Sequence, residues 1–218
     1  MIKTAALRFL AFTVLAFSAN LSHANLVVYT TQGAFMAATS AQGTDTYTGL
    51  SITGETPSPL VRTAGAYGYT ATASTDTFFG AGTTANPWLS TNQALDSILF
   101  SNFSTGIQAI GGNFFGSNIA GAFLAGSILL TATDLSGAVS QTIVNATTGS
   151  FLGFVSTNTL LSLTVSAIQG ASPIWPTVDN LTLALRAVPP TGVPEPGSVA
   201  LLLAGLGIMV MLARRRKV

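Results

Sequence analysis

The chain has 218 residues, of which 7% are charged, with eight Lys or Arg against seven Asp or Glu and a formal net charge of +1. It has no cysteine, which excludes thiol nucleophiles, disulfides and zinc–thiolate sites. Most of its basic residues lie near the two ends, so the middle lacks the Lys/Arg footprint that nucleic acid requires, and no nucleic-acid partner is expected. At the N-terminus, Lys3 and Arg8 precede an apolar run at 9–17, and Ser22-His23-Ala24 offers a small-x-small cleavage site. This pattern predicts a signal peptide over residues 1–24, exported by the Sec machinery and cut by signal peptidase between Ala24 and Asn25. His23 is the single histidine of the chain and would leave with it.

Residues 25–188 form one domain's worth of chain, rich in Thr, Ser, Ala, Gly and Asn. Its charges are Arg62 and Arg186 against Asp45, Glu55, Asp76, Asp96, Asp134 and Asp179. A short β-prone run at 26–30 leads into one or two helical turns at 33–38. Residues 44–53 mix Thr, Tyr and Ile and are broken by Pro57 and Pro59. YGYTATA at 67–73 alternates, placing Tyr67, Tyr69, Ala71 and Ala73 on one face. Residues 78–92 are rich in Gly, Thr and Asn and read as a long loop, with Trp88 after Pro87.

The second half is more regular. SILFSNF at 97–103 places Ile98 and Phe100 on one face. IQAIGGNFF at 107–115 is a strand whose Gly111-Gly112 marks a bulge or a close backbone approach. SILLTAT at 127–133, a turn at 134–137 and the return at 139–144 predict a hairpin. FLGFV at 151–155 reads as a buried strand. Leu161, Leu163, Val165 and Ala167 alternate with small polar residues, the pattern of a half-buried strand. Pro173 and Pro176 bracket Trp175, and a final strand at 178–187 turns Leu181, Leu183 and Leu185 inward. About nine short strands, frequent turns and no amphipathic helix of three turns predict an all-β, two-sheet antiparallel sandwich of jelly-roll type.

The body offers little for catalysis. Without His, Cys or Lys it cannot build a Ser-His-Asp triad, a Schiff base or an imidazole metal site. A non-enzymatic protein is therefore expected. The six acids leave a carboxylate-dependent glycoside hydrolase as the weaker alternative. A glycan-binding module is the stronger one: Trp88 and Trp175 stand beside prolines, and aromatic faces near Asn and Asp are suited to sugars.

The last 26 residues have three parts in order. A linker at 189–192 leads to Pro194-Glu195-Pro196, which stays extended because proline fixes φ and lacks an N–H. An uncharged apolar run follows at 197–213, roughly 25 Å long as a helix, the short end of the spanning range. Arg214, Arg215, Arg216 and Lys217 close it and would stay on the cytoplasmic side.

This tail, residues 193–218, resembles the PEP-CTERM sorting signal of Gram-negative bacteria. The resemblance implies transient anchoring by a transmembrane helix and processing near Pro-Glu-Pro by exosortase, a membrane-embedded enzyme. It further implies delivery to the cell surface or matrix, in biofilm rich in exopolysaccharide. YTTQGAFMAAT, IQAIGGNFFGSN, SFLGFVS and TVDNLTLAL in the body also resemble a class of PEP-CTERM proteins similar to carbohydrate-binding-module sandwiches. That likeness implies a structural calcium ion, with Asp179 at the matching ligand position.

Overall fold

The structure is a computed structural model that describes residues 26–188. It is all-β apart from one helical segment, and every strand pair is antiparallel. Two sheets form a sandwich. The nine-stranded sheet runs in the order β1 (Val27–Tyr29), β13 (Phe151–Val155), β9 (Ala109–Ser117), β15 (Trp175–Arg186), β7 (Asn86–Thr91), β6 (Phe78–Thr83) and β3 (Glu55–Thr56). Two more strands join it: β10 (Phe123–Leu124) pairs with β9, and β2 (Thr39–Asp45) pairs with the second half of β15. The six-stranded sheet is ordered β12 (Gly137–Ala146), β11 (Gly126–Asp134), β14 (Leu160–Ile168), β8 (Ser97–Ser101), β5 (Tyr67–Ala73) and β4 (Leu60–Ala64).

Period-two alternation builds the core. Ile98 and Phe100 on β8, Tyr69 and Ala71 on β5, and Ile128, Leu130 and Ala132 on β11 all turn inward and are buried. They meet Phe114, Val178, Leu181 and Leu183 from the facing sheet. With no disulfide to constrain the chain, this apolar burial is the main source of stability. Phe114 and Phe115 are both fully buried, because β9 is covered on both faces. Its outer side is covered by α1 (Gln32–Ala37), whose Phe35 packs with Ala109, Val155 and Ala184. α1 starts at Thr31, whose hydroxyl accepts the Ala34 N–H. Gly153 lets Phe35 lie flat on the sheet; a Cβ there would fall 2.4 Å from the ring.

Several expectations change. Residues 78–92 are not a long loop but the hairpin β6–β7, in register from Phe78↔Thr91 to Thr83↔Asn86. Pairing with a neighbour, rather than β propensity, makes a strand of FFGAGT. Leu161 is exposed and Leu160 takes its place in the core, since the β11–β14 register shifts between Thr133 and Asp134. The final strand begins at Trp175, so Trp175 and Pro176 belong to the sheet and not to a preceding loop. The Gly111-Gly112 pair is a close approach: the bulge opposite it lies in β15, between Asp179 and Thr182. A Cβ on Gly112 would come within 3.2 Å of the Asp179 carbonyl. The signal peptide, its cut site at Ala24 and Asn25, and the tail with Pro194, Glu195, Pro196 and Arg214 to Lys217 lie outside the described residues. Among those described, no helix is long and apolar enough to cross a membrane.

Candidate functional site

Trp175 opens β15 where that strand pairs with β9 and lies beside β7. Its indole Nε1 donates to the Asn92 carbonyl at 3.2 Å, which fixes the ring against the turn after β7. Two adjoining clefts share Trp175 and Gln93.

The first cleft, about 350 Å³, is walled by Phe79, Asn92, Asn118 and Ile119. Ser90 and Ser117 line it too, and with Thr177 they form a buried hydroxyl cluster: the Thr177 hydroxyl lies 2.8 Å from Ser117 Oγ and 3.2 Å from Ser90 Oγ. The second, about 700 Å³, is lined by Leu95, Asp96, Gln169 and Pro173. Gln169 ties its two walls together. Its Nε2 donates to the carbonyls of Ala94 and Ile174, both at 2.8 Å, and its Oε1 accepts the Ile174 N–H at 3.0 Å. Asp96 is 3% exposed; its Oδ1 accepts from the Ser74 and Thr75 hydroxyls, while its Oδ2 is buried without a partner. The clefts thus combine an aromatic ring, carboxamides, hydroxyls and the Asp96 carboxylate, with no cation in either lining. A neutral, hydroxyl-bearing ligand fits that chemistry.

Trp88 does not join this site. It lies within β7, half-buried, with its ring edge-on to Phe115 at a centroid distance of 4.9 Å and its Nε1 buried without a partner. Packing takes up this ring. Tyr69 is likewise committed to the interior, where its hydroxyl donates to Asp45 Oδ2 at 2.7 Å.

Asp179 is 7% exposed, at the bulge of β15. Burial raises its carboxyl above the ordinary range, offset in part by the Asn180 N–H and the Asn86 side chain. Among the described residues no group of three or more His, Cys, Asp or Glu comes together. Calcium takes six to eight oxygens, several of them carboxylate. Asp179 Oδ1 accepts the Asn180 N–H at 2.8 Å, so any further oxygens for such an ion would be backbone carbonyls, side-chain amides or waters.

Two other acids serve structure. Asp45 takes two hydrogen bonds from Arg62 and one from the Tyr47 N–H. Its bond to Arg62 raises the guanidinium pKa, and burial raises the hydroxyl pKa of Tyr47 and of Tyr69. Asp134 closes the β11–β12 turn. Burial pushes its carboxyl up, but the Ser156 and Ser136 hydroxyls and the N–H groups of Ser136 and Gly137 outweigh it, and the net pKa is lowered. Glu55 and Asp76 are the acids that share a donor: Asn92 Nδ2 reaches both, at 3.0 and 3.3 Å.

Of the residues singled out in the sequence as glycan contacts, Trp175 lies at the clefts, where the fold adds Asn92, Gln93, Asp96, Asn118 and Gln169. These are loop residues with no local motif, and only the strand pairing gathers them.

Comparison with known families speaks to the other end of the chain. The model described as the PEP-CTERM protein-sorting motif matches residues 192–217. No curated protein matches the chain. The matched segment contains the Pro-Glu-Pro, the apolar run and the basic cluster that carried the resemblance. The chain carries a PEP-CTERM sorting motif over residues 192–217, which indicates export and implies exosortase processing through a membrane-associated C-terminal signal.

Proposed function

We propose that this is a non-enzymatic protein of the cell surface or extracellular matrix, delivered by exosortase cleavage near Pro194-Glu195-Pro196 and associated with exopolysaccharide in biofilm. The sorting motif on an all-β sandwich body carries this reading. The signal peptide over residues 1–24 opens the route, and the apolar run at 197–213 holds the chain in the inner membrane until it is cut. Mass spectrometry of the mature C-terminus tests it. A terminus near Pro194 to Gly197 in surface or medium fractions is expected. An intact tail ending at Val218 in the inner membrane overturns it.

A second reading assigns the body to glycan binding, as in the carbohydrate-module jelly rolls that it resembles. The two clefts meeting at Trp175 and Gln93 favour it. Sugar CH faces stack on an aromatic ring while amides and hydroxyls take the hydroxyl groups. Binding to a panel of neutral polysaccharides is expected to be lost on Trp175→Ala and kept on Gln42→Ala, at a site far from the clefts. Equal binding by both variants, or none by the native chain, removes this reading. A hydrolase working through Glu55 and Asp76 is the third possibility; a hydrolytic rate on matrix polysaccharide, abolished by Glu55→Gln, is the result that would install it.

A further inference from the structure

β12 is an edge strand, ten residues long, whose one partner among the described residues is β11. The unpaired backbone groups of such an edge form a template for another strand, and proteins usually blunt it with charge, proline, brevity or a bulge. The other edges are blunted in these ways. β1, β3 and β10 are two or three residues long. β2 is kinked at Ala41, with φ +50°, and its Gly43 abuts β4 at Ala64. β4 has five residues, carries Arg62 and follows Pro57 and Pro59.

β12 has none of this over its first seven residues. GAVSQTI contains no charge and no proline, and its pairing with β11 is regular from Gly137 to Ile143. A bulge follows, with Asn145 at φ +49°. Ala138, Ser140 and Thr142 face outward; Val139, Gln141 and Ile143 face the other way, beside an open groove of about 630 Å³ bounded across by Thr31, Gln32 and Phe151. Gln141 is exposed even though it points to the sheet's inner face.

We infer that β12 is the docking edge for β12 of a second copy of this chain, paired antiparallel about a two-fold axis at Gln141. Charge complementarity selects this occupant: a charged strand would bury its charge against an edge that has no counter-charge to give, and β12 itself brings none. The pattern is also self-complementary. Centred on Gln141, the pairing sets Val139 against Ile143 of the second copy on the inner face, and Ser140 against Thr142 on the outer face. Amide meets amide at the axis. Because the remaining edges are blunted, assembly closes at two copies instead of growing into a fibre.

The absence of cysteine gives a clean test in the chain as it is exported. Residues opposed across an antiparallel pair have Cα atoms about 4.5–5.5 Å apart, inside the range a disulfide spans. Gln141→Cys opposes itself at the axis. Ala138→Cys sits roughly 20 Å from its copy at about 3.4 Å per residue, and Thr63→Cys lies on the opposite edge. Under mild oxidation, Gln141→Cys is expected to give at least tenfold more disulfide-linked dimer than either of the others, and no higher species. Equal linking at all three positions would mean non-specific association, and no linking at Gln141→Cys would mean a free edge; either result overturns the proposal.

Discussion

Arg62 grips Asp45 through two hydrogen bonds, Nε to Oδ2 at 2.6 Å and Nη2 to Oδ1 at 2.8 Å. Asp45 ends β2 of the nine-stranded sheet, and Arg62 stands on β4 of the other sheet, so the pair pins the two layers together at one corner. It is the one ion pair among the described residues, and Arg62 also lies over the Tyr47 ring, 5.4 Å from its centroid. Asp45 is nearly fully buried, so removing its partner leaves a charge with no counter-charge, held only by the Tyr47 N–H and the Tyr69 hydroxyl. Arg62→Ala is expected to cost about 3 kcal/mol of stability, measured by urea unfolding. Asp45→Asn combined with Arg62→Met, which removes both charges, is expected to cost less than the single change. A single variant as stable as the native chain would show that the corner is not held this way.

Asp134 and Asp179 respond to pH with opposite signs. Asp134 has a lowered pKa, so its contribution is present above the unfolded carboxylate value and is lost as pH falls through its folded value. Asp179 has a raised pKa, so the folded state holds its proton longer. Its contribution declines as pH climbs from the ordinary carboxylate value through the raised one. Asp179→Asn is therefore expected to flatten the loss of stability on the rising side, and Asp134→Asn the loss on the acid side. Unfolding free energies measured from pH 3 to 8 check both, and a profile unchanged by either variant contradicts the assignment.

Gln169 is the tie between the walls of the larger cleft. Gln169→Ala removes the bonds to Ala94, to the Ile174 carbonyl and to the Ile174 N–H. A loss of about 1 kcal/mol is expected for these partly exposed bonds. The more specific sign is faster hydrogen exchange at the Ile174 amide, with exchange in the β11–β12 hairpin unchanged. Equal exchange at Ile174 in both proteins would mean that other contacts hold the cleft.

The tail is expected to act as a unit. Glu195→Ala, or deletion of Arg214 to Lys217, should trap the chain in the inner membrane or misorient it, as read by fractionation and immunoblotting. Surface delivery of both variants at the native level contradicts the sorting argument.

Much of this protein is local, and local features are legible in a sequence. The tail could be read because its three parts act by composition and order along a single stretch. The all-β class and the β11–β12 hairpin followed from alternation and from turn residues such as Asp134 and Gly137, which depend on neighbours in the chain. Tertiary structure decided the rest. β6 and β7 are strands because they pair with each other and β7 pairs with β15, and Trp88 was thereby drawn into packing with Phe115. Leu160 replaced Leu161 in the core through a register shift against another strand. Trp175 meets Asn92 across 83 positions of chain, and Asp45 meets Arg62 across two sheets. Such relationships are set by strand order, which is chosen by the joint burial of both sheets; no single stretch of residues carries that information.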